Sequence, residues 1–130
     1  MARSAAPATQ PDSVLAVYGS LAPGRSNHHQ LAGLAGSWSH GWVRGVLIDK
    51  GWGAALGYPG MLLDDDGANV AVHIFTSADL PQHWARLDAF EGPNYCRTLV
   101  MASTLAGDVP AFIYALALDG MPPENCDAGA

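Results

Sequence analysis

The sequence predicts an α+β domain in which a small mixed sheet curls into a barrel and carries two main helices. The predicted order of elements, β-α-β-β-β-α-β-β, does not alternate regularly, which favours such a fold over a Rossmann arrangement. Glycines recur inside the predicted strands, as the bends of a small curled sheet require. The chain has 130 residues, 49% of them apolar and 14% charged, which suffices for one core but not for two.

The first half of the domain begins with a buried strand. Val14–Tyr18 is short, apolar and rich in β-branched residues, and it ends at Gly19, where a loop begins. Asn27 and Gln30 have the spacing of a capping box, which predicts a short helix after this loop. A strand over residues 38–48 follows, and its internal glycines predict bulges or tight bends.

The second half contains the clearest helix of the chain. Its apolar residues recur every three or four positions, a cap is expected at Ser77 or Asp79, and Pro81 lies in the first turn. The last two strands are predicted to pair across a turn at Gly107 and Asp108. The predicted elements of this half are strands 61–63 and 69–75, the helix Asp79–Glu91, and the paired strands Tyr95–Thr104 and Val109–Leu118.

Both ends of the chain are predicted to lie outside the folded domain, which we expect to span residues 13–119. Residues 1–12 are small and polar, and residues 120–130 are polar and proline-rich, so we expect a disordered N-terminal arm and a flexible C-terminal tail. Residues 1–12 lack the apolar region of a signal peptide, and no apolar stretch reaches the ~20 residues of a membrane helix. We therefore expect a cytoplasmic protein with no membrane partner.

The charge of the chain argues against nucleic acid as a partner. Twelve Asp and Glu residues stand against six Lys and Arg residues, a formal net charge of −6. Such a surface repels phosphate backbones and anionic lipids. The basic residues are scattered singly along the sequence, so no cationic stripe is predicted.

Neither a metal site, a cofactor site nor a disulfide is predicted. Cys96 and Cys126 are far apart and lack CxxC spacing, so we interpret both as free thiols in a reducing compartment. The five histidines are dispersed, and neighbours such as His28 and His29 would point about 100° apart on a helix. The run Asp64–Asp66 lacks the alternating ligands of a calcium loop. The sequence also contains no nucleophile elbow, Walker loop or HExxH motif.

Two segments contain residues of the types that bind substrates or transfer protons in enzymes. The first strand leads into Tyr18-Gly19-Ser20-Leu21, and the predicted second helix ends in Leu87-Asp88-Ala89-Phe90-Glu91-Gly92, which is followed by Tyr95 and Arg97. Taken singly, the first segment is compatible with a plain tight turn, and a glutamate at a helix end with a solvated surface group. Together, the two segments indicate a more specific function than either one does alone.

The order YGSL-x-x-G, a YPG loop at Tyr58–Gly60 and LDxFEGxxYxR resembles the gamma-glutamylcyclotransferase-like family over residues 14–118. The resemblance implies release of 5-oxoproline from a small γ-glutamyl substrate, without metal or cofactor. It also implies that Glu91 is the general acid and base and that Tyr114 faces the pocket. The residues that it assigns to substrate binding are Tyr18, Gly19, Ser20, Leu21 and Tyr114. We expect a monomer or a homodimer.

The chemistry of this reaction explains why few residues are needed. The substrate carries its own nucleophile, the α-amine, so folding it back turns the attack into a ring closure. One carboxylic acid can take the proton from the ammonium and return it to the leaving amine if its pKa is near neutrality. Glu91 is expected at a helix carboxyl end with Phe90 and Trp84 nearby, and both features raise a carboxyl pKa. Asp88 is the rival acid, but the family pattern favours a structural hydrogen-bond acceptor there.

Other positions match the family pattern less completely. Tyr95 and Arg97 fit the motif, yet a structural role in the sheet explains both residues at least as well as a functional one. Family members usually carry a Gly-Glu pair where this chain has Val70-Ala71-Val72-His73, which could change the pocket floor. Ala22-Pro23-Gly24 differs from the tryptophan and proline of glutathione-specific relatives, which argues against glutathione. A γ-glutamylamine, a γ-glutamyl amino acid and a γ-glutamyl-protected intermediate remain open.

Two further expectations follow, together with an alternative function. Glu91 and the backbone of residues 19–21 should line one cavity. Gly19 should have a backbone conformation, or an approach to substrate, that a Cβ would obstruct. The alternative is a non-catalytic small-molecule binding domain that keeps the residue 18–21 segment as a ligand pocket and leaves Glu91 idle.

Overall fold

A computed structural model describes residues 11–19, 21–25, 28–48, 60–92 and 95–116. The described elements follow the predicted order of strands and helices. After a 3₁₀ turn at Pro11–Ser13 they are β1 (Val14–Val17), α1 (His29–Ala32), β2 (Ser37–Ile48), β3 (Gly60–Leu63), β4 (Ala68–Thr76), α2 (Trp84–Glu91), β5 (Tyr95–Thr104) and β6 (Gly107–Leu116).

The six strands form one mixed sheet that closes into a barrel. Their order is β3-β2-β4-β1-β6-β5, and a pairing of β2 with β5 at Trp42 and Ser103 closes a five-stranded ring, to which β3 is added beside β2. β1 runs parallel to β6, and the other described pairs are antiparallel. The α+β mixed-sheet barrel with two helices predicted from the sequence is confirmed.

Two apolar clusters hold the barrel and its helices together. Val14 and Ala16 of β1 point into the barrel, where they pack with residues such as Ile113. Leu15 and Val17 point to the outer face and pack beneath the helices, in a cluster that includes Leu31, Leu87 and Trp84. β1 is thus buried on both faces, which explains why its sequence is continuously apolar rather than alternating.

The hairpin of β5 and β6 turns two residues earlier than predicted. Thr104 pairs with Gly107 and Ser103 with Asp108, so Leu105 and Ala106 form the turn and β6 already includes Gly107. Gly107 has φ of +121°, a conformation that L side chains rarely adopt. The prediction placed the glycine in the turn, whereas it is the first residue of the returning strand.

The second helix is shorter than predicted. Leu80–Gln82 forms a separate 3₁₀ turn around Pro81, and the α-helix begins only at Trp84. The backbone N–H of His83 donates to the Leu80 carbonyl at 2.8 Å, an i to i−3 bond that ends this turn before α2 begins. Neither expected cap bonds to α2: the Ser77 hydroxyl accepts from the N–H of Asp79 at 3.1 Å, within the preceding turn.

The prediction of a free thiol at Cys96 is wrong, because this residue is disulfide-bonded. Separation along the sequence does not determine how close two cysteines come in the fold, so spacing alone could not exclude a bridge.

The described residues do not include Cys126, Asn27 or residues 58 and 59 of the predicted YPG loop. Nor do they include the predicted tail or the first ten residues of the predicted arm, and the domain limits stay predictions. None of the described helices has the length and apolar character to span a membrane.

Candidate active site

Glu91 is the last residue of α2 and is buried, with 7% of its surface exposed. The helix ends here because Gly92 has φ of +78°, and its N–H donates to the Asp88 carbonyl at 3.0 Å. Trp84 and Leu87, which are one turn or more before Glu91, are also buried in the outer apolar cluster. The carboxyl group therefore lies at the inner side of the helix end rather than in solvent.

Burial and, as the smaller cause, the negative charge of Asp88 together raise the pKa of Glu91 to about 8. The direction agrees with the expectation from the sequence. The contribution of Asp88 was missed there, although the spacing of three residues places both carboxyl groups on one face of α2. Near neutral pH the Glu91 carboxyl group can both accept and donate a proton.

Tyr18 joins the end of β1 to two other strands. Its hydroxyl donates to the Tyr114 carbonyl at 2.7 Å and accepts from the backbone N–H of Met61 at 3.0 Å. Burial raises the pKa of the Tyr18 hydroxyl, and the charges of Tyr95 and Glu91 act in the same direction. The phenol is therefore a neutral group that lies within electrostatic range of Glu91.

Asp88 is held by two side chains from the barrel. The Tyr114 hydroxyl donates to its Oδ1 at 2.6 Å, and Arg97 donates from Nε to Oδ1 at 2.9 Å and from Nη2 to Oδ2 at 3.2 Å. The guanidinium of Arg97 also lies 4.6 Å from the ring centroid of Trp84 and 4.8 Å from that of Phe112. Both oxygens of Asp88 are thus engaged, in agreement with its interpretation as a structural acceptor.

The hydrogen bonds to Asp88 also fix the positions of the Tyr114 and Arg97 side chains. Burial raises the pKa of Tyr114, and its hydrogen bond to Asp88 acts in the same direction. Arg97 and Asp88 form a largely buried ion pair, with side-chain exposures of 12% and 22%. These contacts support the structural role that the sequence left open for Arg97.

The turn after Tyr18 is only partly described. The N–H of Ala22 donates to the Gly19 carbonyl at 3.1 Å, and the Leu21 side chain is buried in the outer apolar cluster. Ser20 lies outside the described residues. The Leu21 side chain is therefore part of the core, and a role of its backbone in substrate binding stays a prediction.

The structure contradicts one of the two reasons predicted for a glycine at position 19. Its φ is not in the positive range, and no described atom lies within 4 Å of the place where a Cβ would stand, its chain neighbours aside. The conformational explanation for a glycine here is wrong. Close approach of a substrate stays a prediction, as does a cavity shared by Glu91 and the backbone of residues 19–21.

A cleft of about 570 Å³ lies elsewhere, at the seam where β2 and β5 diverge. Its lining includes Trp42, Asp65, Leu99 and Asp108. Of the residues that the sequence assigned to substrate or catalysis, the lining contains none.

Comparison with known proteins places the fold in context. The sequence model of a protein family described as "Gamma-glutamyl cyclotransferase, AIG2-like" matches residues 15–128. A comparison with curated protein sequences finds no match.

Solved structures with this fold include YkqA from Bacillus subtilis and an AIG2-like protein from Mus musculus. YkqA is 28% identical with a TM-score of 0.62, and the match covers 80% of this chain but 35% of YkqA, so this chain spans about a third of that protein's length. The mouse protein is 24% identical with a TM-score of 0.64, and the match covers 81% of this chain and 77% of that one. PH0828 from Pyrococcus horikoshii is 23% identical with a TM-score of 0.55, over 79% and 76% of the two chains. The likenesses below 25% identity concern the fold alone. Because the family model covers most of the chain and the barrel agrees with it, this protein belongs to the AIG2-like gamma-glutamyl cyclotransferase family.

Proposed function

We propose that the protein releases 5-oxoproline from a γ-glutamyl compound, with Glu91 as general acid and base. The observation that carries the proposal is a buried carboxyl group whose pKa is raised to about 8 at the end of the LDxFEG helix. A carboxyl group with an ordinary pKa would be fully ionised near neutral pH and a poor proton donor. Family membership supports the reaction type.

The proposed reaction consists of one ring closure, the cleavage of one C–N bond and the removal of two protons from the α-ammonium, both through Glu91. Ionised Glu91 accepts a proton from the α-ammonium, and the free amine attacks the γ-carbonyl carbon to form the five-membered ring. The bond between that carbon and the leaving nitrogen then breaks, and Glu91 returns its proton to the departing amine. Glu91, ionised again, takes the second proton from the ring nitrogen to leave neutral 5-oxoproline, and passes it to the released amine, which departs as an ammonium ion. With a pKa of about 8, roughly one Glu91 in ten is ionised at pH 7, which is enough to start the cycle.

The substrate would be held by the segment after β1. In the proposal, backbone N–H groups of Gly19, Ser20 and Leu21 bind the α-carboxylate or the developing oxyanion. The open space beside Gly19 supports this placement, since a ligand could approach the backbone there. Tyr114 orders Asp88 through its hydroxyl and would line the pocket beside Glu91.

The cytoplasmic location expected from the sequence depended partly on free thiols, and Cys96 is disulfide-bonded. The reaction itself needs no redox partner or metal, because the bonds that form and break involve only the substrate and Glu91.

The test compares wild type with Glu91→Gln in a 5-oxoproline release assay on γ-glutamylamines and γ-glutamyl amino acids. Glutamine keeps the shape but cannot carry the proton, so kcat should fall by about 10²–10⁴-fold while substrate still binds. Glu124→Gln, which changes the only other glutamate of the chain, is the matched control. Near-wild-type turnover by folded Glu91→Gln would exclude Glu91 as the base. Binding without turnover by wild type across the whole panel would favour the non-catalytic alternative.

A further inference from the structure

One edge of β5 is left open at the seam of the barrel. Along its other edge β5 pairs with β6 over its whole length, Tyr95–Thr104. At the seam, Ser103 opposite Trp42 is the only pairing of β5 with β2 among the described residues. The cleft of about 570 Å³ lies beside this open edge, and residues 98–101 of β5 line it.

The edge is open because β2 bonds to other segments beyond Trp42. The Arg44 carbonyl accepts from the N–H of Asp64 at 3.4 Å, and from Gly45 onwards β2 pairs with β3. Residues 63–65, at the end of β3 and in the turn after it, line the cleft together with β5. The open edge of β5 is therefore not covered by β2.

The hairpin geometry determines which backbone groups face the open edge. Thr104 and Gly107 close a two-residue loop, so this pair exchanges both of its backbone hydrogen bonds. Exchanging pairs recur at every second residue, and Val100 therefore bonds to β6. Leu99 and Met101 lie between such positions and direct their N–H and C=O groups towards the cleft. No described strand pairs with either residue there, so these donors and acceptors can bond to an added strand.

The outer face of the barrel beside this edge is apolar. Ala102 is buried inside the barrel, so the alternation of β5 directs Leu99 and Met101 outwards. They are 41% and 59% exposed, and Trp42, which lines the same cleft, is 36% exposed. An occupant of the cleft would remove this apolar surface from water.

The charge around the cleft favours a cationic occupant. Three carboxylates line it, Asp64, Asp65 and Asp108, against one basic side chain, Arg44. Within the described part of the chain no salt bridge joins Arg44 to any of the three. Like charges that face each other at an interface repel. A second copy of this chain, with its net charge of −6, is therefore a poor occupant, and so are residues 117–130, which have three acidic residues and no basic one.

We propose that the open edge of β5 at Leu99 and Met101 binds an extended, cationic segment of another protein, which adds to the barrel as a further strand. Main-chain hydrogen bonds give such strand addition its affinity, and the side chains at alternate positions give it specificity. Lysine or arginine side chains of the segment would meet Asp65 and Asp108, and its apolar side chains would cover those of β5. This docking site does not depend on the proposed reaction, and its tests need no turnover.

The first test measures hydrogen exchange of single amides by NMR in the presence of a capped peptide of about six residues that alternates lysine and valine. At saturation, exchange at the amides of Leu99 and Met101 should slow by about tenfold or more, because the peptide accepts their hydrogen bonds. The amides of Thr98 and Val100 already bond to β6 and should change little. A peptide that alternates glutamate and valine is the control and should bind about tenfold more weakly at low ionic strength. That difference should shrink as salt is added.

The second test changes the charges and the backbone bonds separately. Replacing both Asp65→Asn and Asp108→Asn should weaken the lysine peptide by about tenfold, whereas Asp12→Asn, at an exposed position outside the cleft lining, should not. Methylating the peptide on the backbone nitrogens of either its lysines or its valines removes the donors along one of its two edges. One of these methylated peptides should lose binding and the other should keep it.

Several results would overturn the proposal. They are no slowing of exchange at Leu99 and Met101 with the lysine peptide at about 1 mM, equal binding of the lysine and glutamate peptides, and unchanged binding of both methylated peptides. Slow exchange at these two amides in the protein alone would also overturn it. If that protection is lost on dilution the occupant is a second copy, and if it is independent of concentration the occupant is a segment of the chain itself.

Discussion

The unusual protonation of Glu91 should be measurable in the stability of the fold. In the folded protein its pKa is about 8, against an ordinary value of 4.5. Between these two values the native state retains a proton that the unfolded chain has released. The stability that this proton provides is complete below pH 4.5 and is lost as the pH rises through 8.

The expected magnitude follows from the distance between the two pKa values. Each pH unit between them costs about 1.36 kcal/mol, so the free energy of unfolding should fall by up to roughly 5 kcal/mol between pH 4.5 and pH 8 because of Glu91 alone. Solvent screening removes little of this, since Glu91 is only 7% exposed. Glu91→Gln is neutral at every pH and should abolish this component of the slope. The variant should therefore be the more stable protein above pH 8, at the expense of the proposed activity.

The assay is urea unfolding followed by circular dichroism at intervals from about pH 5 to pH 9. Glu124→Gln is the control and should keep the wild-type slope. The decisive quantity is the difference between wild type and Glu91→Gln as a function of pH. If the two stability profiles run parallel over this range, Glu91 titrates normally, and the argument from burial and from the charge of Asp88 is refuted.

Two other predictions concern Tyr18 and Gly19, which follow β1. Gly19→Ala should leave the free energy of unfolding unchanged, because nothing described would contact the added methyl group, but should raise KM for a verified substrate; destabilisation, or an unchanged KM, would contradict this. Tyr18→Phe removes the donor to Tyr114 and the acceptor for Met61, so urea unfolding should show a loss of about 1–3 kcal/mol. A loss below about 0.5 kcal/mol would mean that water replaces both bonds.

The order of elements could be predicted from the sequence because most strands begin and end at local signals. β1 is a continuous apolar run that stops at a glycine, and α2 has apolar residues at helical spacing. Local signals were less reliable at the ends of elements. Gly107 is the kind of residue that favours a turn, but whether it stands in the turn or directly after it depends on how β5 and β6 are aligned. That alignment is set by packing on both faces of the sheet and not by the turn alone.

For the site, the motif resemblance identified the candidate acid but not the residues that surround it. Asp88 and Glu91 share a helix face by spacing alone, so their electrostatic coupling was open to prediction. The contact of Tyr18 with Met61 and the pairing of His40 with His73 join residues more than thirty positions apart. Such contacts depend on strand order and register, which periodicity does not reveal.

The two carboxyl groups of α2 illustrate how one helix can carry two different acids. The carboxylate charge of Asp88 faces Arg97, which donates two hydrogen bonds to it, and Tyr114 donates a third. Glu91, one turn later, is buried beside that charge, and both effects favour its protonated form. Since the oxygens of Asp88 are already engaged, it is poorly placed to serve as a second base. In the proposed reaction a single carboxyl group must then accept the first proton and donate the last, which is possible only with a pKa close to the working pH.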